Sequence, residues 1–228
     1  MLDTGANSLP MLRLCQLVSP ALPIGAYNFS QGLEYAAEVG LVHDEASTLD
    51  WVQGVAEHAV GTLDLPVLLR MHDAWSQRDE MNARYWSSYL LASRESSELR
   101  AEERHLGRSL AKVLVSLDIH GAAEWTHDAD ATYACLFALA AGEWQIQRVP
   151  TATAYLWAWC ENQVLAALKL LPLGQTAGQR ILNRLLIKIP GFVESALLLT
   201  DGDIGIAAPL QGMASAWHET QYTRLFRS

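Results

Sequence analysis

The apolar residues of this chain recur every three or four positions and almost never alternate, a pattern that suits helices and excludes a sheet. Turn-forming residues interrupt it about every 10 to 20 residues, the span of ordinary helices. Helices are expected at 9–18, at 47–63 with Ser47 and Asp50 as a capping box, and from the turn that carries Pro66. Between the first two, Asn28 caps a helix with Gln31 three residues on, and Gly40 stops it. The remaining helices are expected at 80–92, 97–117, 130–141, 152–171, 176–188, 191–199 and 208–217. The fold class is all-α: a single globular domain of roughly ten helices over 9–216, preceded by a flexible segment 1–8 and followed by a tail, 217–228.

With 228 residues, 50% of them hydrophobic, the chain can bury a substantial core. Its net charge of −9 argues against nucleic acid as a partner, because phosphate binding needs a cationic surface. Cys15, Cys135 and Cys160 are scattered in apolar stretches and read as small buried hydrophobes in a reducing compartment. The start MLDTGANSLP lacks the basic and apolar blocks of a signal peptide, and the longest apolar runs, such as 133–141, are too short for a membrane span. A cytoplasmic protein with no membrane partner is the expectation.

Catalytic motifs are sparse. No lysine follows a glycine, so there is no phosphate-cradling P-loop, and GxSxG, HExxH and GxGxxG are missing too. Three His-Asp pairs, His43-Asp44, His72-Asp73 and His127-Asp128 (the last extended by Asp130), admit an alternative reading as an all-α, HD-type metal-dependent phosphohydrolase. His72-Asp73 is the best placed of them. The segment DGDIGIAAP (201–209) lacks calcium-loop spacing and reads as a tight turn.

Other features suit protein partners better. On the 97–117 helix, Leu99, Leu106, Leu110, Val113 and Leu117 form an apolar stripe opposite Arg100, Arg104, Arg108 and Lys112, with Glu98 and Glu102 on a separate rim. Like charges stacked at i,i+4 are unfavourable by a few tenths of a kcal/mol, which leaves two readings open: a solvated face or a docking surface. The 152–171 helix is apolar nearly all round and reads as the central one, with Lys169 either ion-paired or at a pocket mouth. Gly32 sits in an expected first helical turn, where it costs about 1 kcal/mol against alanine. The tail, WHETQYTRLFRS, interleaves Tyr222, Leu225 and Phe226 with Arg224 and Arg227, the residue types interfaces bury. It either packs on its own domain or, the favoured reading, binds a partner.

Four segments carry a family resemblance: SPALPIGAYNFSQGLEYAAEVGLV (19–42), LLASRESSELRAEERHLGRSL (90–110), LKLLPLGQTAGQ (168–179) and DGDIGIAAPLQGMASAWHETQYTRLFRS (201–228). In order and spacing they resemble the urease accessory protein F (UreF) family; Ala26 replaces a frequent glycine, and 118–150 matches no motif of it. The resemblance implies an all-α chaperone without catalysis of its own. Such a protein bridges the scaffold protein UreD (also called UreH) and the GTPase UreG, so that Ni²⁺ reaches apo-urease, and it has been proposed to regulate GTP hydrolysis. It also implies a homodimer and a carboxy-terminal segment that engages the scaffold. Carried onto this sequence, Gly32, Glu34, Glu98, Arg100 and Lys169 become candidates for the GTPase-facing surface, with Gly32 allowing another chain close and Lys169 beside Glu34. His218, Glu219, Gln221, Tyr222, Arg224, Leu225 and Phe226 become candidates for the scaffold-facing tail. No cofactor and no high-affinity metal site are expected; Ni²⁺ is cargo of the complex, with His218 a candidate transient ligand.

Overall fold

The computed structural model describes residues 8–206 and 208–228. Among them the expected all-α class is found: ten α-helices, one π-helical stretch and three short 3₁₀ turns. The helices are α1 (Ser8–Leu17), α2 (Leu33–Glu38), α3 (Glu45–Val55), α4 (Leu65–Ser76), α5 (Glu80–Ala92), α6 (Ser97–Ser116), α7 (Tyr133–Glu143), α8 (Arg148–Leu170), α9 (Gln175–Leu198) and α10 (Pro209–His218). Of the segment expected to be flexible, residues 1–7 lie outside the described residues, and Ser8 opens α1.

The core is built around α4 and α7 rather than α8. Leu65, Val67, Leu68, Leu69 and Met71 of α4 and every residue from Ala134 to Ala141 of α7 are buried. Small residues on α7 let α4 and α6 approach from both sides; a Cβ on Gly107 of α6 would sit 2.6 Å from the Ala131 carbonyl oxygen. Although α8 is apolar, it keeps Leu165 and Lys169 exposed and its tryptophans half-buried.

Backbone chemistry explains where the observed helices depart from those expected. Asp44, not Ser47, is the N-cap of α3: its carboxylate accepts from Ser47 N at 2.8 Å, and Ser47 Oγ accepts from Asp44 N at 3.0 Å. From there α3 runs without a break through a π stretch, Ala56–Asp64, into α4, so Pro66 does not open a separate helix. Proline has no N–H for the carbonyl four residues back, and that carbonyl, Thr62 O, accepts from Gly205 N at 3.1 Å. Likewise α9 passes through Pro190 where two helices were expected. An interior proline costs about 3 kcal/mol. The buried stripe Ile181, Leu185, Ile189, Val193 and Ala196 runs along both sides of it and offsets that cost.

Candidate functional site

The Ser30–Gln31–Gly32 turn organises the region that holds most of the candidate residues. Gln31 (φ 54°) and Gly32 (φ 85°) are both left-handed, and Gly32, not Asn28, is the N-cap of α2. A Cβ on Gly32 would lie 2.8 Å from Ser215 N and 3.2 Å from Ala214, so the glycine admits α10 of its own chain rather than another protein. Gln31 holds its unfavourable conformation through its side chain: Nε2 donates to Glu102 Oε1 at 2.8 Å, and Oε1 accepts from Trp159 Nε1 at 2.8 Å.

This turn leaves two successive backbone N–H groups pointing the same way, and the tail supplies their acceptor. Ser30 N and Gln31 N donate to Ser228 O at 2.8 and 3.1 Å, and Ser30 Oγ donates to the same oxygen at 2.5 Å. Arg227 N donates to Asn28 O at 2.8 Å. Glu34, buried in the first turn of α2, accepts from Leu225 N at 2.6 Å and Phe226 N at 2.8 Å. The Phe226 ring is buried with Leu33, Ala36, Val42, Ala166 and Ala167. The tail therefore follows a bent course, and the backbone of its last four residues is paired to its own domain.

Charge ties this segment to three helices. His218, fully buried at the end of α10, places Nδ1 2.6 Å from Glu98 Oε2 and Nε2 3.2 Å from Glu34 Oε2. Each ring nitrogen thus faces a carboxylate oxygen, and the imidazole bridges α2 and α6. Glu98 also accepts from Arg224 Nη1 at 2.8 Å.

Beneath the tail lies a second buried polar group. Ser228 Oγ donates to Glu102 Oε2 at 2.8 Å, and burial pushes the Glu102 carboxyl up to about 7, against the opposing pull of the Gln31 and Ser228 hydrogen bonds. Next to it, Arg94 is paired with both Asp64 and Glu103. Burial works against the guanidinium's charge, but the two carboxylates outweigh it and hold its pKa well above the ordinary value; burial raises Glu103. Glu102 and Glu103 flank the apolar stripe of α6 on its two sides, and the tail and the Arg94 guanidinium supply the partners that let these carboxylates be buried.

The other candidates divide between framework and surface. Arg100 Nη1 donates to Arg94 O at 2.6 Å, while Arg104 and Arg108 each donate at 2.8 Å to carbonyls of the 128–129 loop, so the arginine row secures its own chain. Glu219 Oε1 accepts from Ser97 N at 2.7 Å and Ser97 Oγ at 2.8 Å; these bonds lower its pKa and fix the start of α6. Gln221 Nε2 donates to Thr223 O at 3.1 Å. Lys169 is not beside Glu34: its Nζ donates to Tyr27 O at 3.3 Å and lies 5.4 Å from the ring centres of both Tyr27 and Phe226. The side chains of Tyr222 and Leu225 project away from the frame, the residues being 103% and 64% exposed. Trp217 and His218 belong to α10 rather than to the tail. Sequence reasoning missed Ser30 and Gln31 as site residues, for their partners, Ser228, Glu102 and Trp159, lie far away along the chain.

The His-Asp pairs do not assemble. Asp44 is a helix cap, His72 Nε2 bonds to Ile146 O at 2.8 Å, Asp73 pairs with Arg148 at 3.1 Å and Asp128 with Arg84 at 2.6 Å. Among the described residues no three His, Cys, Asp or Glu side chains are grouped to hold a metal ion, and no helix is long and apolar enough to cross a membrane. No hydrolase site is assembled among these residues, and the segment expected as a turn, 201–209, joins α9 to α10 through a 3₁₀ turn at Asp201–Asp203, with Gly205 N donating to Thr62 O and Tyr89 Oη to Ile204 O at 3.0 Å.

A family model described as UreF matches residues 42–186. Full-length similarity extends further. The urease accessory protein UreF of Alkalilimnicola ehrlichii is 49% identical over 220 residues, 96% of each chain. That of Hahella chejuensis is 44% identical over 96% of this chain and 99% of its own, and UreF 2 of Brucella anthropi is 45% identical over 97% of each. At that coverage these relatives include the Gly32 turn, which the family model does not reach.

Proposed function

The chain belongs to the UreF family, and from that membership we propose that it is a non-catalytic urease accessory protein that bridges two partners, the scaffold UreD (UreH) and the GTPase UreG. In this reading Ni²⁺ is cargo that the assembly delivers to apo-urease in the cytoplasm, and the chain works as a homodimer. The observation that carries it is the fixed tail. Glu34, Glu98 and His218 join α2, α6, α10 and the tail into one body, from which the side chains of Tyr222 and Leu225 project. Ordering a segment before a partner arrives lowers the entropic cost of binding, and an aromatic ring beside a leucine is an interface anchor.

The scaffold then docks on Tyr222 and Leu225, while Phe226, Arg224, Glu219, Gln221 and His218 support that surface from behind. On the GTPase side Gly32 and Glu34 are internal, so Lys169 and the exposed rim of α6 near Arg100 make direct contact. Regulation of GTP hydrolysis acts only through different affinities for the nucleotide states of the GTPase. The test is a Tyr222→Ala, Leu225→Ala double variant, co-purified with the scaffold and checked for helicity. The reading predicts helicity retained and scaffold affinity down about tenfold or more. Unchanged affinity removes the tail from it.

A further inference from the structure

Helix α6 carries a row of cations that the chain itself does not neutralise. Arg100, Arg104, Arg108 and Lys112 follow one another at i,i+4, so they rise in steps of about 6 Å over about 18 Å of helix. With 25 acidic against 16 basic residues, carboxylates are in excess. Elsewhere arginines take them: Arg70 pairs with Asp201, Arg84 with Asp128, Arg94 with Asp64 and Glu103, and Arg180 with Glu45. Among the described residues no ion pair reaches the α6 row. Asp128, whose carbonyl oxygen meets Arg108, gives its carboxylate to Arg84 at 2.6 Å and to Asp130 N at 2.7 Å.

The hydrogen bonds of the row hold it in place without using up its charge. Arg104 and Arg108 donate through Nε, to Ala129 O and Asp128 O, which leaves both Nη groups of each without a partner among the described residues. Such a pair of Nη groups is the fork that takes a carboxylate by two bonds at once. Arg100 commits Nη1 to Arg94 O, and the exposed Lys112 makes no hydrogen bond or ion pair among the described residues. Ala101, also exposed, lies on the same face of the helix and adds no bulk there. The exposed His105 shows the local sign of the field: partial burial, and after it the positive charges of Arg227 and Lys112, lower its pKa.

We propose that this face of α6 docks an acidic segment of a partner protein, whose carboxylates, about 6 Å apart, each meet one cation of the row. A helix with an acidic residue at every fourth position presents that spacing. Like charges stacked at i,i+4 repel one another until such a segment arrives, so its docking relieves a cost that the free chain carries. A long polyanion such as nucleic acid fits less well. Beyond the row it meets the rest of a chain of net charge −9, whereas a short segment stays within a Debye length, about 10 Å, of the cations. The proposal does not rest on the bridge reading, since it fixes the chemistry of the occupant and not its name.

The test uses the full chain and a fluorescent, alanine-rich helical peptide with glutamate at every fourth position, beside its glutamine twin. Binding is read by anisotropy at low and high salt. The glutamate peptide binds and weakens as salt rises, and the glutamine twin does not bind. Ala101→Glu supplies the row with a carboxylate of its own and removes no structural bond; it weakens binding about fivefold, as does Lys112→Glu, with helicity retained. Lys188→Glu makes the same change of net charge as Lys112→Glu at an exposed site on α9, and leaves binding within about twofold. Equal binding by the unaltered chain, Ala101→Glu and Lys112→Glu, or no binding of the glutamate peptide at all, overturns the proposal. Equal weakening by Lys188→Glu reduces the effect to net charge and overturns it too. A single-stranded DNA oligonucleotide that binds more tightly than the peptide, and is lost in Ala101→Glu, assigns the row to nucleic acid instead.

Discussion

Glu34→Gln tests the tail frame most sharply, because it changes one atom and keeps the side chain's shape. The carboxylate takes N–H donors on both oxygens, from Leu225 on one and from Phe226 on the other, where His218 Nε2 also lies 3.2 Å away. An amide can keep only one of these oxygens; the other becomes an NH₂ group facing a donor. Hydrogen bonds to a charged group are worth about 1.5–3 kcal/mol, so about 2 kcal/mol of tail docking is lost. At about 1.36 kcal/mol per decade, the undocked population rises about thirtyfold. Brief trypsin treatment reads this population, since cleavage after Arg224 requires that guanidinium to leave Glu98. Mass spectrometry should show cleavage at Arg224 and Arg227 accelerated by about that factor, with Tyr222→Ala, which removes no docking contact, unchanged. Cleavage in Glu34→Gln within about twofold of the unaltered chain would refute the assignment of Glu34 as the tail's main acceptor.

Three further outcomes follow from the same geometry. Glu102 titrates at about 7 in the folded chain against an ordinary 4.5, so the fold binds this proton more tightly than the unfolded chain does. Its contribution of about 3 kcal/mol is complete below pH 4.5, is lost as pH rises to about 7, and gives urea stability a downward slope between them. Glu102→Gln should reduce that slope to the part that Glu103 retains; an unaltered slope sinks the attribution. Gly32→Ala puts a Cβ 2.8 Å from Ser215 N at φ 85°, costs about 1–2 kcal/mol in backbone strain, and should lower the melting temperature by about 2–8 °C, read by circular dichroism. No change would mean that α2 and α10 can separate freely there. Arg94→Ala leaves Asp64 and Glu103 unpaired in the core and should cost about 3–5 kcal/mol in urea titrations, with partial recovery on adding Glu103→Gln. Equal loss in the single and double variants would contradict the charge argument.

Helix class and most helix positions were legible because burial imposes a spacing that the sequence carries openly, as in α5 and α6. The misplacements arose where a local rule was outweighed by the rest of the fold. Pro66 and Pro190 read as breaks, yet a buried stripe carries α9 through one, and a distant glycine N–H takes up the carbonyl that the other leaves free. The oddities of Gly32 and the tail were visible as residues but not as a pair. Nothing in the sequence says that Glu34, 191 positions before Leu225, accepts that residue's backbone N–H. Glu102 was expected only on a separate rim of its helix; its burial depends on donors, Gln31 and Ser228, that come from opposite ends of the chain.

The central claim, that this chain joins two partners, is tested most directly by mixing it with purified scaffold and GTPase, nucleotide-loaded, and measuring the masses by light scattering after gel filtration. The account predicts a complex containing all three proteins, and no association of scaffold with GTPase when this chain is left out. Scaffold and GTPase pairing equally well without it would contradict the bridge.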